Sequence, residues 1–123
     1  MILVDTSVWI DHLRTTDPTI DRLVESFELA MHPFVLGELV LGSIASRLET
    51  IEAWRELPMA KVLHPEDVID LVEQRRLFSR GIGFTDANLI ASALTTSGLK
   101  IWTRDKRLAA VAAELGVAAR FDH

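Results

Sequence analysis

Cysteine is absent from this 123-residue chain. Without thiols there is no disulfide framework, no thiolate zinc site and no cysteine nucleophile, and a reducing, cytoplasmic setting fits. No stretch approaches the ~18 consecutive apolar residues that a bilayer-spanning helix needs, so the expectation is a soluble protein without a membrane partner. The N-terminus, Met1-Ile2-Leu3-Val4-Asp5, lacks the basic region of a secretory signal. The four histidines, at 12, 32, 64 and 123, show no ligand spacing, which argues against zinc. There is no repeat, linker or low-complexity segment.

What is present describes an ordinary globule: 49% hydrophobic residues, 25% charged, and 13.7 kDa expected to form one domain over residues 1–123. A chain of this size buries about two thirds of its unfolded surface, enough for a core without staples. The net charge of −5 argues against a coat for nucleic acid, yet it hides an asymmetry. Residues 1–73 carry 14 acids and 5 bases, whereas residues 74–123 carry 4 acids and 8 bases. The basic set, Arg75, Arg76, Arg80, Lys100, Arg104, Lys106, Arg107 and Arg120, either tracks a phosphate backbone or lines solvated helix faces.

Ile2-Leu3-Val4 reads as a short strand running into Asp5-Thr6-Ser7, which opens a helix through Val8, Trp9 and Leu13. Asp17-Pro18 starts a helix to about Leu29, with Ile20, Leu23, Val24 and Phe27 on its apolar stripe. Ala30–His32 reads as a strand, and Pro33 starts a helix to about Ser43. Gly37 and Gly42 each cost about 1 kcal/mol there, so close packing or substrate approach is expected to offset them. Further helices are expected over Arg47–Leu57, from Pro65 through Phe78 to Gly81, from a Thr85 cap to Gly98, and over Arg104–Leu115. Strands are expected at Lys61–Leu63, Lys100–Thr103 and Val117–Phe121. Gly81-Ile82-Gly83 reads as a helix end rather than a phosphate loop, and Trp9, Trp54 and Trp102 either stack on bases or fill the core. Short strands separated by one or two helices make an α/β fold with a short, mostly parallel sheet flanked by helices, whose ligand site lies beyond the carboxyl ends of the strands.

Acids stand at that end. Asp5, Asp86 and Asp105 each have an innocent explanation as helix-start residues. Glu38 does not: its helical neighbours are Phe34, Val35, Leu41 and Gly42, so it is expected under an apolar face, and no lysine or arginine lies in the segment from Met31 to Ile44. Asp86 shares a face with Leu89, Ile90 and Ala93, and Asp105 with Leu108 and Ala109. A hard divalent cation with oxygen ligands, Mg²⁺ or Mn²⁺, is the remaining neutralising partner.

Four segments carry a resemblance: Val4-Asp5-Thr6-Ser7, then Glu38-Leu39-x-x-Gly42, then Asp86-x-x-Leu89-Ile90-Ala91-x-Ala93, then Thr103-x-Asp105. In order and spacing they resemble the motifs of PIN-domain nucleases. The stretch Ile101–Leu108 is similar to VapC toxins of bacterial toxin–antitoxin pairs, and the match runs from residue 2 to about residue 116. The resemblance implies a three-layer, PIN-like sandwich and a Mg²⁺-dependent endoribonuclease acting as a toxin. Asp5, Glu38, Asp86 and Asp105 would be the acidic quartet and metal ligands, with Thr6 and Thr103 ordering them. Asp5 and Asp86 would bind metal directly, while Glu38 and Asp105 would hold a second metal or metal-bound water.

It further implies an RNA substrate, expected along Arg75, Arg76, Arg80, Lys100, Arg104, Lys106 and Arg107. A small cognate antitoxin would insert a basic side chain into the acidic pocket, and a homodimer is expected. One departure is Leu108, where many relatives carry an aromatic residue. Two rivals remain. A receiver-like signalling domain would want paired acids after the first strand, where Asp5 stands alone, and a catalytically silent PIN-like module would not need the quartet.

Overall fold

The computed structural model describes residues 1–121. Its elements run β1 (Ile2–Val4), α1 (Thr6–Arg14), α2 (Pro18–Glu25), β2 (Leu29–Ala30), α3 (Pro33–Val40), α4 (Arg47–Arg55), α5 (Pro65–Arg75), α6 (Phe84–Thr95), β3 (Lys100–Trp102) and α7 (Lys106–Glu114). The sheet order is β2-β1-β3 and both pairings are parallel, with Leu3 opposite Ala30 on one side and Ile101 on the other. Single parallel bridges, Met31 to Met59 and Ile101 to Ala118, extend it outward on each edge. The expected three-layer α/β sandwich is thus what forms, because each parallel return needs a crossover and the helices supply it.

Two-residue and three-residue strands bury little by themselves, so the helices do most of the packing. The centre holds Leu3, Val4, Val8, Leu29, Met31, Val35, Leu89, Ile90, Ile101 and Leu108, all essentially sealed from solvent. Leu108 sits in this core, so the departure noted at that position concerns packing alone. Helix α6 is buried continuously from Ala87 to Ala93, as expected of a helix apolar on nearly every side. Its two polar residues there turn inward to backbone: Asn88 Nδ2 donates to the Phe84 carbonyl, and Ser92 Oγ to the carbonyls of Asn88 and Lys61. Trp9 and Trp54 are buried and Trp102 packs edge-on against Phe121, so the tryptophans serve packing.

Several boundaries differ from the sequence reading. Helix α2 ends at Glu25, and Phe27, at φ 58°, turns the chain out of the helix. Phe27 is therefore 79% exposed rather than on the buried stripe, and Leu29 moves into β2. No strand forms at Lys61–Leu63. The edge pairing lies three residues earlier, where Met31 N–H donates to the Pro58 carbonyl and Ala60 N–H to the Met31 carbonyl, and Val62 is 41% exposed. At Val117–Phe121 the described residues form only the Ala118 bridge. Helix α5 stops at Arg75, with Arg76 left-handed, and Gly83 rather than Thr85 caps α6. A Cβ on Gly37 would meet nothing within 4 Å, so close packing is not what offsets that glycine.

Three of the histidines have a use the spacing did not suggest, and His123 lies outside the described residues. His32 and His64 each precede a proline and cap the helix that proline opens, with Nδ1 accepting from Phe34 N–H and Glu66 N–H respectively. His12 Nδ1 accepts from Asp17 N–H at the α1–α2 elbow.

Candidate active site

Parallel strands deliver their successors to the same end of the sheet, and Asp5 follows β1 as Thr103 follows β3. Asp5 is only 6% exposed and stands at the N-cap position of α1, yet its side chain caps nothing. Instead Asp5 Oδ2 accepts from Ser7 Oγ at 2.9 Å and from Thr103 Oγ1 at 2.7 Å. Ser7 was not singled out in the sequence; its place two residues past an acid at a strand end was the available signal. Its hydroxyl also accepts from Arg104 N–H, and Thr103 Oγ1 accepts from Asp105 N–H, so the loop after β3 is tied to the start of α1.

The other acids are held similarly. Glu38, on α3, accepts through Oε2 from Thr6 Oγ1 at 3.2 Å. Asp86, in the first turn of α6, accepts through Oδ2 from Gly83 N–H at 3.1 Å. Asp105 is a true helix cap, its Oδ1 accepting from Arg107 N–H and Leu108 N–H. Each of the four carboxylates therefore anchors one oxygen on the protein, and its second oxygen, Asp5 Oδ1, Glu38 Oε1, Asp86 Oδ1 or Asp105 Oδ2, accepts no hydrogen bond among the described residues.

Their convergence shows in Asp86. Its carboxyl is pushed above the usual range chiefly by burial; the Gly83 N–H opposes this, and the negative charges of Asp5, Asp105 and Glu38 reinforce it. No lysine or arginine pairs with any of the four among the described residues. Glu38 is a correction to the sequence reading: it is exposed rather than held under an apolar face, and Val35 and Leu39 face the core instead. As the side chains stand, no three acids or histidines among the described residues close around one point as a finished metal cage. The donor set nonetheless suits a hard cation, being all oxygen, fourfold anionic and unpaired.

The basic residues separate into groups. Arg80 makes a two-pronged ion pair with Glu114, at 2.9 and 3.0 Å. Lys100 begins β3, at the opposite end of the sheet from the acids, and its ammonium donates to the Gly116 carbonyl. Arg104 is shared between Asp11 and Asp17. Arg107 lies across Gly81, where a Cβ would meet the Arg107 Cδ at 2.6 Å, so the missing side chain is what makes room for it. Arg75, Arg76 and Lys106 are exposed without an ion-pair partner among the described residues.

A groove of about 340 Å³ opens between α1 and α3, lined by Ile10, Leu13, Arg14, Glu38, Leu39, Gly42 and Ser43. Glu38 is thus common to the acidic cluster and to the groove. No helix among the described residues is long and apolar enough to cross a membrane.

The PIN domain family model matches residues 2–114. The protein named ribonuclease VapC32, from two strains of Mycobacterium tuberculosis, is 48% identical over 118 residues, covering 96% of this chain and 95% of that protein. Among solved structures, the crystal structure of PAE2754 from Pyrobaculum aerophilum superposes with a TM-score of 0.64 over 96% of this chain and 87% of that one, at 20% identity, which speaks for the fold. The motif order, the parallel sheet delivering acids to one end and these matches agree: the chain belongs to the PIN-domain family.

Proposed function

We propose that this chain is an endoribonuclease dependent on Mg²⁺ or Mn²⁺, that it hydrolyses RNA phosphodiesters, and that it acts in the cytoplasm as the toxin of a toxin–antitoxin pair. The observation that carries the reading is the four carboxylates, each with one oxygen fixed by the protein and one left over, beside a strand end. Asp5 and Asp86 would hold the ion directly, and Glu38 and Asp105 would hold a second ion or ordered water. A bound divalent ion supplies Lewis acidity to a phosphoryl oxygen and lowers the pKa of water.

The chain's own residues do the rest. Thr103 and Ser7 fix the rotamer of Asp5, Thr6 steadies Glu38, and the α7 N–H groups hold Asp105. Arg75, Arg76, Lys106 and Arg107 are the basic residues best placed to meet the RNA backbone, because Arg80, Lys100 and Arg104 are engaged within the protein.

The groove supports the partner. An antitoxin segment would lay apolar side chains against Ile10, Leu13 and Leu39 and pass an arginine or lysine beyond Glu38 to the carboxylates, since a site that attracts a divalent cation also attracts a guanidinium. A complex in which inhibition is complete while the carboxylates stay open would overturn that placement. We also propose a homodimer, in keeping with exposed Leu41 and Leu48, to be checked by sedimentation.

The deciding experiment incubates purified protein, Asp5→Asn and Asp86→Asn with defined RNA in Mg²⁺, Mn²⁺ or chelator. Cleavage should need the ion and both acids. Undiminished cleavage by both variants in chelator would refute the assignment, and intact RNA under every condition would favour a catalytically silent module.

A further inference from the structure

The sequence put Arg104 among the RNA contacts, and the structure gives it another occupation. Arg104 stands between Thr103 and Asp105, in the loop that follows β3. Its guanidinium donates through one terminal nitrogen to Asp11 Oδ2 on α1 at 2.7 Å and through the other to Asp17 Oδ2 at 3.0 Å. It lies 5.7 Å from the centre of the Trp102 ring, so the side chain is supported from beneath as well. Asp17 is itself fixed: its Oδ1 accepts from Thr19 N–H at the start of α2, and its own N–H donates to His12 Nδ1. Burial works to raise the Asp17 carboxyl, but the Thr19 N–H and the Arg104 guanidinium outweigh it and hold it below the usual carboxylate range.

At the backbone, Arg104 N–H donates to Ser7 Oγ, and that hydroxyl donates onward to Asp5. One residue thus pins the loop bearing Thr103 and Asp105 to the α1–α2 elbow, while its neighbour Thr103 holds Asp5 by the 2.7 Å bond. A forked guanidinium suits this bridging because its donors are planar and preorganised, which a lysine ammonium cannot reproduce.

We infer that Arg104, clamped by Asp11 and Asp17, is a positioning residue that sets the separation of Asp5 and Asp105 and thereby tunes divalent-ion affinity, rather than a contact to RNA. This rests on the metal-dependent reading above. Groups that orient metal ligands typically change metal affinity by about 10- to 100-fold when removed.

The test measures Mn²⁺ binding by calorimetry on RNA-free protein, and RNA affinity with its salt slope in chelator, for wild type, Arg104→Gln, the Asp11→Asn Asp17→Asn pair, and all three together. The expected result is Mn²⁺ affinity weakened about tenfold or more by Arg104→Gln, with a similar loss in the aspartate pair and little further loss in the combination. RNA affinity and salt slope should stay at wild-type values in Arg104→Gln. Unchanged Mn²⁺ affinity in Arg104→Gln overturns the inference. Weaker RNA binding with a shallower salt slope does so too, by identifying a phosphate contact. If Arg104→Gln fails to fold, the aspartate pair breaks the same clamp from the other side, and unchanged Mn²⁺ affinity in that pair overturns the inference. A wild-type protein that binds no Mn²⁺ and cleaves no RNA fails the underlying reading instead, and removes the inference with it.

Discussion

Acidification from about pH 7.5 to about pH 5 should weaken this fold by about 2 kcal/mol through one side chain, His32. His32 is fully buried, its Nδ1 accepts from Phe34 N–H at 3.0 Å, and its Nε2 has no hydrogen-bond partner among the described residues. Accepting at Nδ1 requires the neutral ring. Burial lowers the pKa from 6.5 to about 4. The sign follows from proton counting. Above pH 6.5 the ring is neutral in both states and the stability is whole; below it the unfolded chain takes up a proton that the folded chain refuses, and stability falls until the folded ring protonates near pH 4. The full loss is about 3 kcal/mol, a large share of the ~5–15 kcal/mol typical of a domain.

The consequence reaches the site, because His32 caps α3, which carries Glu38. Thermal melts across this range should show a fall of about 8 °C by pH 5 attributable to His32. The control is His32→Asn, since asparagine caps helices well but does not titrate in this range. That variant will be less stable overall through lost ring packing, so the comparison is of slopes. Equal slopes for the two proteins, or a His32 ring that titrates near 6.5 by NMR, would refute the reasoning.

Three further outcomes are expected. Asp86→Asn should melt higher than wild type in chelator at neutral pH, because the raised Asp86 carboxyl favours the fold only while protonated; the gap should close as pH falls toward the ordinary carboxyl value, and metal should reverse it, all read from melting curves. Thr103→Val keeps the shape but removes the 2.7 Å bond to Asp5 and the acceptor for Asp105 N–H; it should cost about 2 kcal/mol in denaturant unfolding and weaken Mn²⁺ binding, and a neutral effect on both would mean that Asp5 needs no such support. Neutralising Arg76 and Lys106 together should weaken RNA binding and flatten its salt dependence, whereas Lys100→Gln, at the far end of the sheet, should do neither; the reverse pattern would place the RNA elsewhere.

The sequence by itself determined the fold class and the residues that meet at the strand ends. Short strand-like runs such as Ile2-Leu3-Val4 and Lys100-Ile101-Trp102, separated by helical segments, point to a parallel sheet, and parallel strands send Asp5 and Thr103 to one end. The motif spacing that resembles PIN-domain nucleases was legible for the same reason, since local order along the chain is what a motif records.

Tertiary structure decided what each side chain does there. Whether Glu38 lay under the apolar stripe of α3 or outside it depended on which face of that helix met the core, and a helix apolar on most sides does not declare its face. The Lys61–Leu63 run resembled a strand, but the partner N–H and carbonyl groups of Met31 were taken by Pro58 and Ala60. Arg80, Lys100 and Arg104 counted as free positive charge in the sequence because their partners, Glu114, the Gly116 carbonyl, Asp11 and Asp17, lie 16 to 93 residues away along the chain. Charge is written in the composition, but the partner that consumes it is set only when distant segments pack.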